Sequence, residues 1–287
     1  MSVTNQELCK SMIAKAKEML EKGEVGRVLA WREGILSHLP EPAFFVGPHE
    51  AGEVLYNEYC GANLSKFLIG SAEKTLVFLR MCDSYSLNLL LKENRVTREG
   101  VYIVGIGCLG IHDENGRMVE SCKSCTKTRH VVYDELMLDG LRPAQVPDPD
   151  RFLQVKSVDG MSLDEKYLFW QKELGRCIRC NACRNICPTC HCKKCVFDSE
   201  KYDSRQNVNA SSFEEQMFHI IRAYHVAGRC TDCGQCSRVC PQKIPLYILN
   251  RKFIKDINEF FGEYAAGEDS IRPNPLVAFD AEGDPEV

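Results

Sequence analysis

Residues 175–188 read GRCIRCNACRNICP and residues 227–241 read AGRCTDCGQCSRVCP. Both stretches carry one spacing, Cys177-x-x-Cys180-x-x-Cys183-x-x-x-Cys187-Pro188 and Cys230-x-x-Cys233-x-x-Cys236-x-x-x-Cys240-Pro241. In this run a tight loop offers three thiolates to three irons of a 4Fe-4S cubane and a distant fourth cysteine closes it, and where two runs are paired the fourth ligand crosses over. The pattern therefore assigns one cluster to Cys177, Cys180, Cys183 and Cys240, and the other to Cys230, Cys233, Cys236 and Cys187. The proline after each crossing cysteine stops the helix and turns the chain. Zinc is the competing reading, but zinc cysteines usually come as C-x-x-C pairs a dozen or more residues apart.

Working outward, Cys190-His191-Cys192-Lys193-Lys194-Cys195 crowds three more thiols behind the first run. Either these join a fourth ligand in another iron-sulphur cluster, or they form a zinc knuckle with a further cysteine, His191 or His219. Between the runs, Ser212-x-x-Glu215 caps a helix carrying Phe213, Met217, Phe218, Ile220, Ile221 and Tyr224, with Gly228 placed to end it. His219 and His225 fall on that helix and read as packing or surface residues. Upstream, Ser162 to Leu174 reads as a helix with Leu163, Tyr167, Leu168, Trp170 and Leu174 placed to pack. Arg176, Arg179, Arg184 and Arg229 flank the runs, either as solvated charges or as cations that raise cluster potentials or meet a partner.

The amino-terminal part has a different rhythm. Residues 4 to 22 form an amphipathic pattern opened by Thr4-x-x-Glu7 and carrying Leu8, Met12, Ile13, Ala16, Met19 and Leu20. Short apolar runs at Val25 to Ala30, Thr75 to Leu79 and Val101 to Ile106 read as buried strands, with a helix over Ser84 to Leu91, which predicts an α/β domain. Cys82 and Cys108 each follow such a strand. Carboxyl ends of strands form the ligand crevice of open α/β sheets, so these two thiols and Cys122-x-x-Cys125 are expected around one further cluster. Cys60 would then complete a set with Cys190, Cys192 and Cys195, while Cys9 stands alone on the first helix. A buried structural cysteine is the simpler reading for any one of them. The GIGCLG segment lacks the full dinucleotide fingerprint.

The expected fold class is α+β, with an N-terminal α/β domain followed by a two-cluster ferredoxin-like domain with a helical insertion. The expected boundaries are 1–140 for the first domain, 141–160 for a proline-rich linker, 161–250 for the dicluster domain, and 251–287 for a C-terminal helix and an extended acidic tail. Seventeen cysteines in 287 residues, beside a polar amino terminus without the apolar core of a secretory signal, point to metal in a cytoplasmic chain and not to disulfides. A composition 44% hydrophobic and 26% charged, with no long apolar run, excludes a membrane span. A net charge of -4 argues against nucleic acid as a partner.

With YNEYCGANLSKFL (56–68), FLRMCDSYS (78–86), VGIGCLG (104–110), CKSCTKTRHVVYDEL (122–136) and the two cysteine runs in view, nearly the whole chain resembles the beta-subunit family of deazaflavin (coenzyme F420)-dependent hydrogenases and formate dehydrogenases. The resemblance is strongest to the branch found beside heterodisulfide-reductase-type flavoproteins. It implies an iron-sulphur electron-transfer subunit of a larger oxidoreductase complex, relaying electrons between a formate dehydrogenase or hydrogenase-type catalytic subunit and such a flavoprotein. The absence of an acid-base or nucleophile constellation fits a non-catalytic subunit. A second reading places FAD in the amino-terminal domain of a subunit that itself oxidises or reduces a deazaflavin coenzyme, and a third is a zinc-binding scaffold. Donor, acceptor, direction of flow and oligomeric state are not written in one chain.

Overall fold

The computed structural model describes residues 5–138, 150–198 and 213–276. Its first compact unit comprises Met1–Pro149 with Ala266–Arg272, and its second Asp150–Ala265 with Pro273–Val287.

In the first unit, helix α1 (Asn5–Glu21) turns Leu8, Met12, Ala16 and Met19 inward, leaving Ile13 and Leu20 half-buried. Thr4, the expected cap, lies outside the described residues. Strands β1 (Arg27–Arg32), β2 (Glu41–Phe45) and β3 (Thr75–Leu79), helix α2 (Met81–Lys92), strand β4 (Val101–Ile106), the short helix α3 (Glu120–Lys123) and strand β5 (Glu135–Met137) complete the order. The sheet runs β2-β1-β3-β4-β5, with β1, β3, β4 and β5 parallel and β2 antiparallel on the edge. Every residue of β3 is buried, the near-continuous apolar run expected of a parallel strand covered on both faces. Register pairs Thr75 with Val101 and Leu79 with Gly105, so β3 and β4 end side by side. Cys82 and Cys108 follow the carboxyl ends of these two adjacent inner strands.

The second unit is helical: α4 (Leu153–Asp159), α5 (Leu163–Leu174), α6 (Ala182–Ile186), α7 (Phe213–His225), α8 (Gln235–Arg238) and α9 (Leu246–Phe261). The stretch expected to be a linker starts outside the described residues, and from Leu153 it is helix. Val155 and Val158 explain this, because they pack on Tyr247 and Ile248 of α9. Helix α5 has the full capping box, Ser162 accepting from the Glu165 amide and Glu165 accepting from that of Ser162. Its apolar face is only partly used: Leu174 is buried, but Leu163, Tyr167 and Leu168 are exposed, contrary to the packing expected of them. Ser212, the expected cap of α7, lies outside the described residues.

The core of this unit is built from Leu174, Phe218, Ile244 and Leu246 together with the thiols Cys177, Cys183 and Cys236. Gly228, at φ +70, ends the turn after α7, and an added Cβ there would run into the Pro275 carbonyl. Tyr264 closes the same corner, donating to the Gly228 carbonyl at 3.0 Å and bonding Asn274 at 2.7 Å. The extended tail expected from Ala265 is thus anchored as far as Asn274, and from residue 277 it lies outside the described residues. In the first unit, Asn88 donates to the Gly267 carbonyl at 3.0 Å.

Candidate metal centres

The two cysteine runs fold as one backbone used twice. Arg179 (φ 52) and Asn181 (φ 59) in the first loop, and Asp232 (φ 58) and Gly234 (φ 69) in the second, are left-handed at equivalent places, two and four residues after the leading cysteine. A left-handed residue reverses the chain within one step, so the loop folds its thiols inward before the short helix, α6 or α8, begins. Asparagine and glycine tolerate this conformation best. Arg179 and Asp232 are held there by other means: the Arg179 guanidinium lies 4.1 Å from the Phe218 ring, and Asp232 pairs with buried Arg251 at 2.8 Å.

Cys177, Cys180, Cys183 and Cys240 line one partly open cavity, with Phe218 and His219 forming another part of its wall. Cys240, from the far end of the second run, is therefore beside the first loop. Conversely, Cys187 stands close enough to Cys230 and Cys236 for their thiolates to repel. Sulphur-directed hydrogen bonds support both loops: the Arg179 amide donates to Cys177 Sγ at 3.4 Å and Asn250 Nδ2 to Cys236 Sγ at 3.3 Å.

The donor chemistry fits a cubane. Burial pushes the Cys183 thiol up to about 12, with Cys236, Cys177 and Cys240 adding to the rise and Arg222 opposing it. Burial likewise raises Cys230 and Cys236. Thiolate is the ligating form, so thiols so placed become thiolates together only when a cationic metal core compensates them. Cys187 is the exception, held low first by its hydrogen bond with Cys190 and then, against burial, by Arg222 and Thr189.

The three extra thiols have different surroundings. Cys190 turns to Cys187, Cys195 engages Arg184, and Cys192 is exposed. Among the described residues no three Cys, His, Asp or Glu side chains meet closely enough to hold a single metal ion. Arg176 pairs with Glu173, Arg184 with Asp198 at 2.6 Å, and Arg229 bonds His191 at 2.7 Å.

In the first unit, Cys82 begins α2 just after β3, and Cys108 follows β4. Burial raises the Cys82 thiol well above its ordinary value, then Asp83, with Cys108 and Cys125 contributing. Cys122 is pushed up to about 12 by burial, with Cys108 and Cys125 again adding. The four thiols expected together are thus neighbours. Beneath them Arg80 and Asp83 form a fully buried ion pair at 2.8 Å, and Arg80 also donates to the carbonyls of Cys60, Gly61 and Ala62. Cys60 is buried in the same unit, its sulphur accepting from the Asn57 amide at 3.4 Å. The Cys9 thiol donates to the Val54 carbonyl at 3.4 Å.

Helix α7 places two residues here, of which Arg222 escaped the sequence reading. His219, expected to be ordinary packing, lines the first cavity, and Arg222 is buried beside the thiols of both loops. Its signal was available in principle, since Arg222 lies four residues after Phe218 on a stripe meant for the core.

Residues 173–244, which contain this pair of loops, match the family described as the 4Fe-4S dicluster domain. Over 92% of its length the chain is similar to the F420-dependent formate dehydrogenase subunit beta of Methanocaldococcus jannaschii, with 23% identity covering 93% of that protein. It is also 26% identical to the F420-dependent formate dehydrogenase 1 subunit beta of Methanococcus maripaludis, over 60% of this chain and 47% of the relative. Among solved structures, a chain of the xenon-derivatised F420-reducing [NiFe] hydrogenase complex from Methanosarcina barkeri aligns over 39% of this chain and 44% of its own, with 14% identity and a TM-score of 0.31. The resemblance to beta subunits of deazaflavin-dependent enzymes holds. No helix among the described residues is long and apolar enough to cross a membrane.

Proposed function

We propose that the chain is the iron-sulphur electron-transfer subunit of a formate dehydrogenase or hydrogenase-type complex, passing electrons singly between a catalytic subunit and a second acceptor. The observation that carries this reading is Cys240 sharing one cavity with Cys177, Cys180 and Cys183, the crossed arrangement that makes two cubanes one conducting unit. Cys177, Cys180, Cys183 and Cys240 would hold one cluster, and Cys230, Cys233, Cys236 and Cys187 the other. Cys82, Cys108, Cys122 and Cys125 would hold a third in the first unit, supported by their mutual proximity at the strand ends. The deazaflavin-dependent relatives suggest the catalytic partner. A heterodisulfide-reductase-type flavoprotein is the proposed acceptor, as the family resemblance carried by the cysteine-run and strand-end motifs implies.

What this chain's residues do is electrostatic and mechanical. They fix thiolates, exclude water from their inner side and set potential through burial and hydrogen bonds to sulphur. Iron and sulphide analysis of the anaerobically purified chain tests the reading, with about twelve irons expected for three cubanes and about eight for the two dicluster sites alone. Tightly bound zinc in place of iron would refute it. Co-purification from the native host identifies the partners, and a complex lacking any dehydrogenase or hydrogenase subunit would overturn the proposed role.

A further inference from the structure

Arg222 is 2% exposed, and among the described residues none of its three guanidinium nitrogens has a hydrogen-bond partner. Leaving a buried cation unpaired costs several kcal/mol, so such groups are normally matched by an anion. Thiols from both loops and the turn between them lie near enough to Arg222 to interact with its charge: Cys236, Cys183, Cys187 and Cys190. One turn earlier on α7, His219 is 1% exposed, lines the first cavity and likewise has no partner for either ring nitrogen among the described residues. Burial, then the Arg222 and Arg179 charges, hold that imidazole neutral. Arg179 of the first loop is the other cation near His219, its guanidinium lying 4.1 Å from the Phe218 ring.

We propose that Arg222 is the shared counter-charge of the dicluster site: from α7 its guanidinium neutralises thiolates of both clusters and makes each of them easier to reduce. The inference rests on the two-cluster reading above and adds to it a residue outside both cysteine runs. A cubane with four thiolates is anionic, and each electron it accepts adds one more negative charge. A buried cation stabilises the more negative state, and low local dielectric makes that preference large. Since Cys183 belongs to one proposed cluster and Cys236 and Cys187 to the other, the effect reaches both. Arg251 cannot substitute, being committed to Asp232.

The experiment uses the full chain, reconstituted anaerobically with iron and sulphide, and pairs iron analysis with a redox titration followed by electron paramagnetic resonance. Arg222→Gln is expected to keep its iron while reduction of each dicluster cubane becomes at least tenfold less favourable, which for one electron is a shift of about 59 mV to lower potential. A smaller shift in either cluster, with iron intact, overturns the proposal. If the glutamine protein loses iron, Arg222→Lys decides. Full iron with both equilibria within tenfold of wild type supports a role for the charge, whereas loss of iron or a larger shift shows that only the shape of arginine matters and overturns it. Wild-type iron below about eight per chain would instead refute the two-cluster reading itself, and this inference with it.

Discussion

The dicluster loops and the strand-end thiols of the first unit assemble similar donor sets by opposite means. In each loop three cysteines come from one short segment, and two left-handed residues suffice to turn them inward. In the first unit, Cys82 and Cys108 follow β3 and β4, which run parallel in register, while Cys122 lies on the separate short helix α3 and Cys125 just after it. The first arrangement is a property of local backbone, the second of the sheet. The two should therefore fail under different insults.

The largest expected effect is on iron. Cys183→Ser should remove about four irons, one cubane, while Cys187→Ala should damage the cluster of Cys230, Cys233 and Cys236 and not the one nearest in sequence. Site-resolved spectroscopy reports which signal goes, and loss of the first cluster in the Cys187 variant would mean that the loops act separately.

Next comes the support beneath the strand ends. Asp83→Asn leaves Arg80 buried without its counter-ion and should destabilise the first unit by about 3–5 kcal/mol. Denaturant unfolding measures the loss. The dicluster signals should persist, and their disappearance would erase the distinction between the regions.

A smaller effect compares the loops themselves. Gly234→Ala places a Cβ at φ 69 and should cost about 1–2 kcal/mol, whereas Asn181→Gly at the equivalent position should shift stability by no more than about 0.5 kcal/mol. Equal costs in thermal unfolding would show that the backbones are not equivalent. Smallest, Ser162→Ala removes both hydrogen bonds of the Ser162 hydroxyl, to the Glu165 amide and carboxylate, and should cost about 1 kcal/mol without altering the iron content. A change in iron would tie α5 to the metal sites more closely than its packing implies.

The same contrast governs what could be read in advance. The cysteine runs are written contiguously, and β3 and β4 match the apolar runs residue for residue, because a fully covered parallel strand has no polar alternation to blur its limits. Strand β2 was missed: it is an edge strand containing Pro42, with Glu41 and Phe44 exposed, so its signal is diluted. Strand β5 has three residues, too few for any period. The exposed face of α5 looks in sequence like any buried stripe, since periodicity says which residues share a face but not what meets it. The role of Arg222 was illegible for a related reason. A polar residue on an apolar stripe announces an anomaly, and only the fold shows that thiols lie opposite.

Cys180 is the exposed thiol among the four that line the first cavity. An exposed ligand residue brings its cluster nearest to water and to a docked partner, and so offers a natural port for current. It is equally the port for dioxygen, because oxidation of cysteine follows thiolate character and access. Fast electron exchange and durability in air thus compete at one residue, and a subunit docked over that edge would extend the lifetime of the cofactor beyond what the isolated chain achieves.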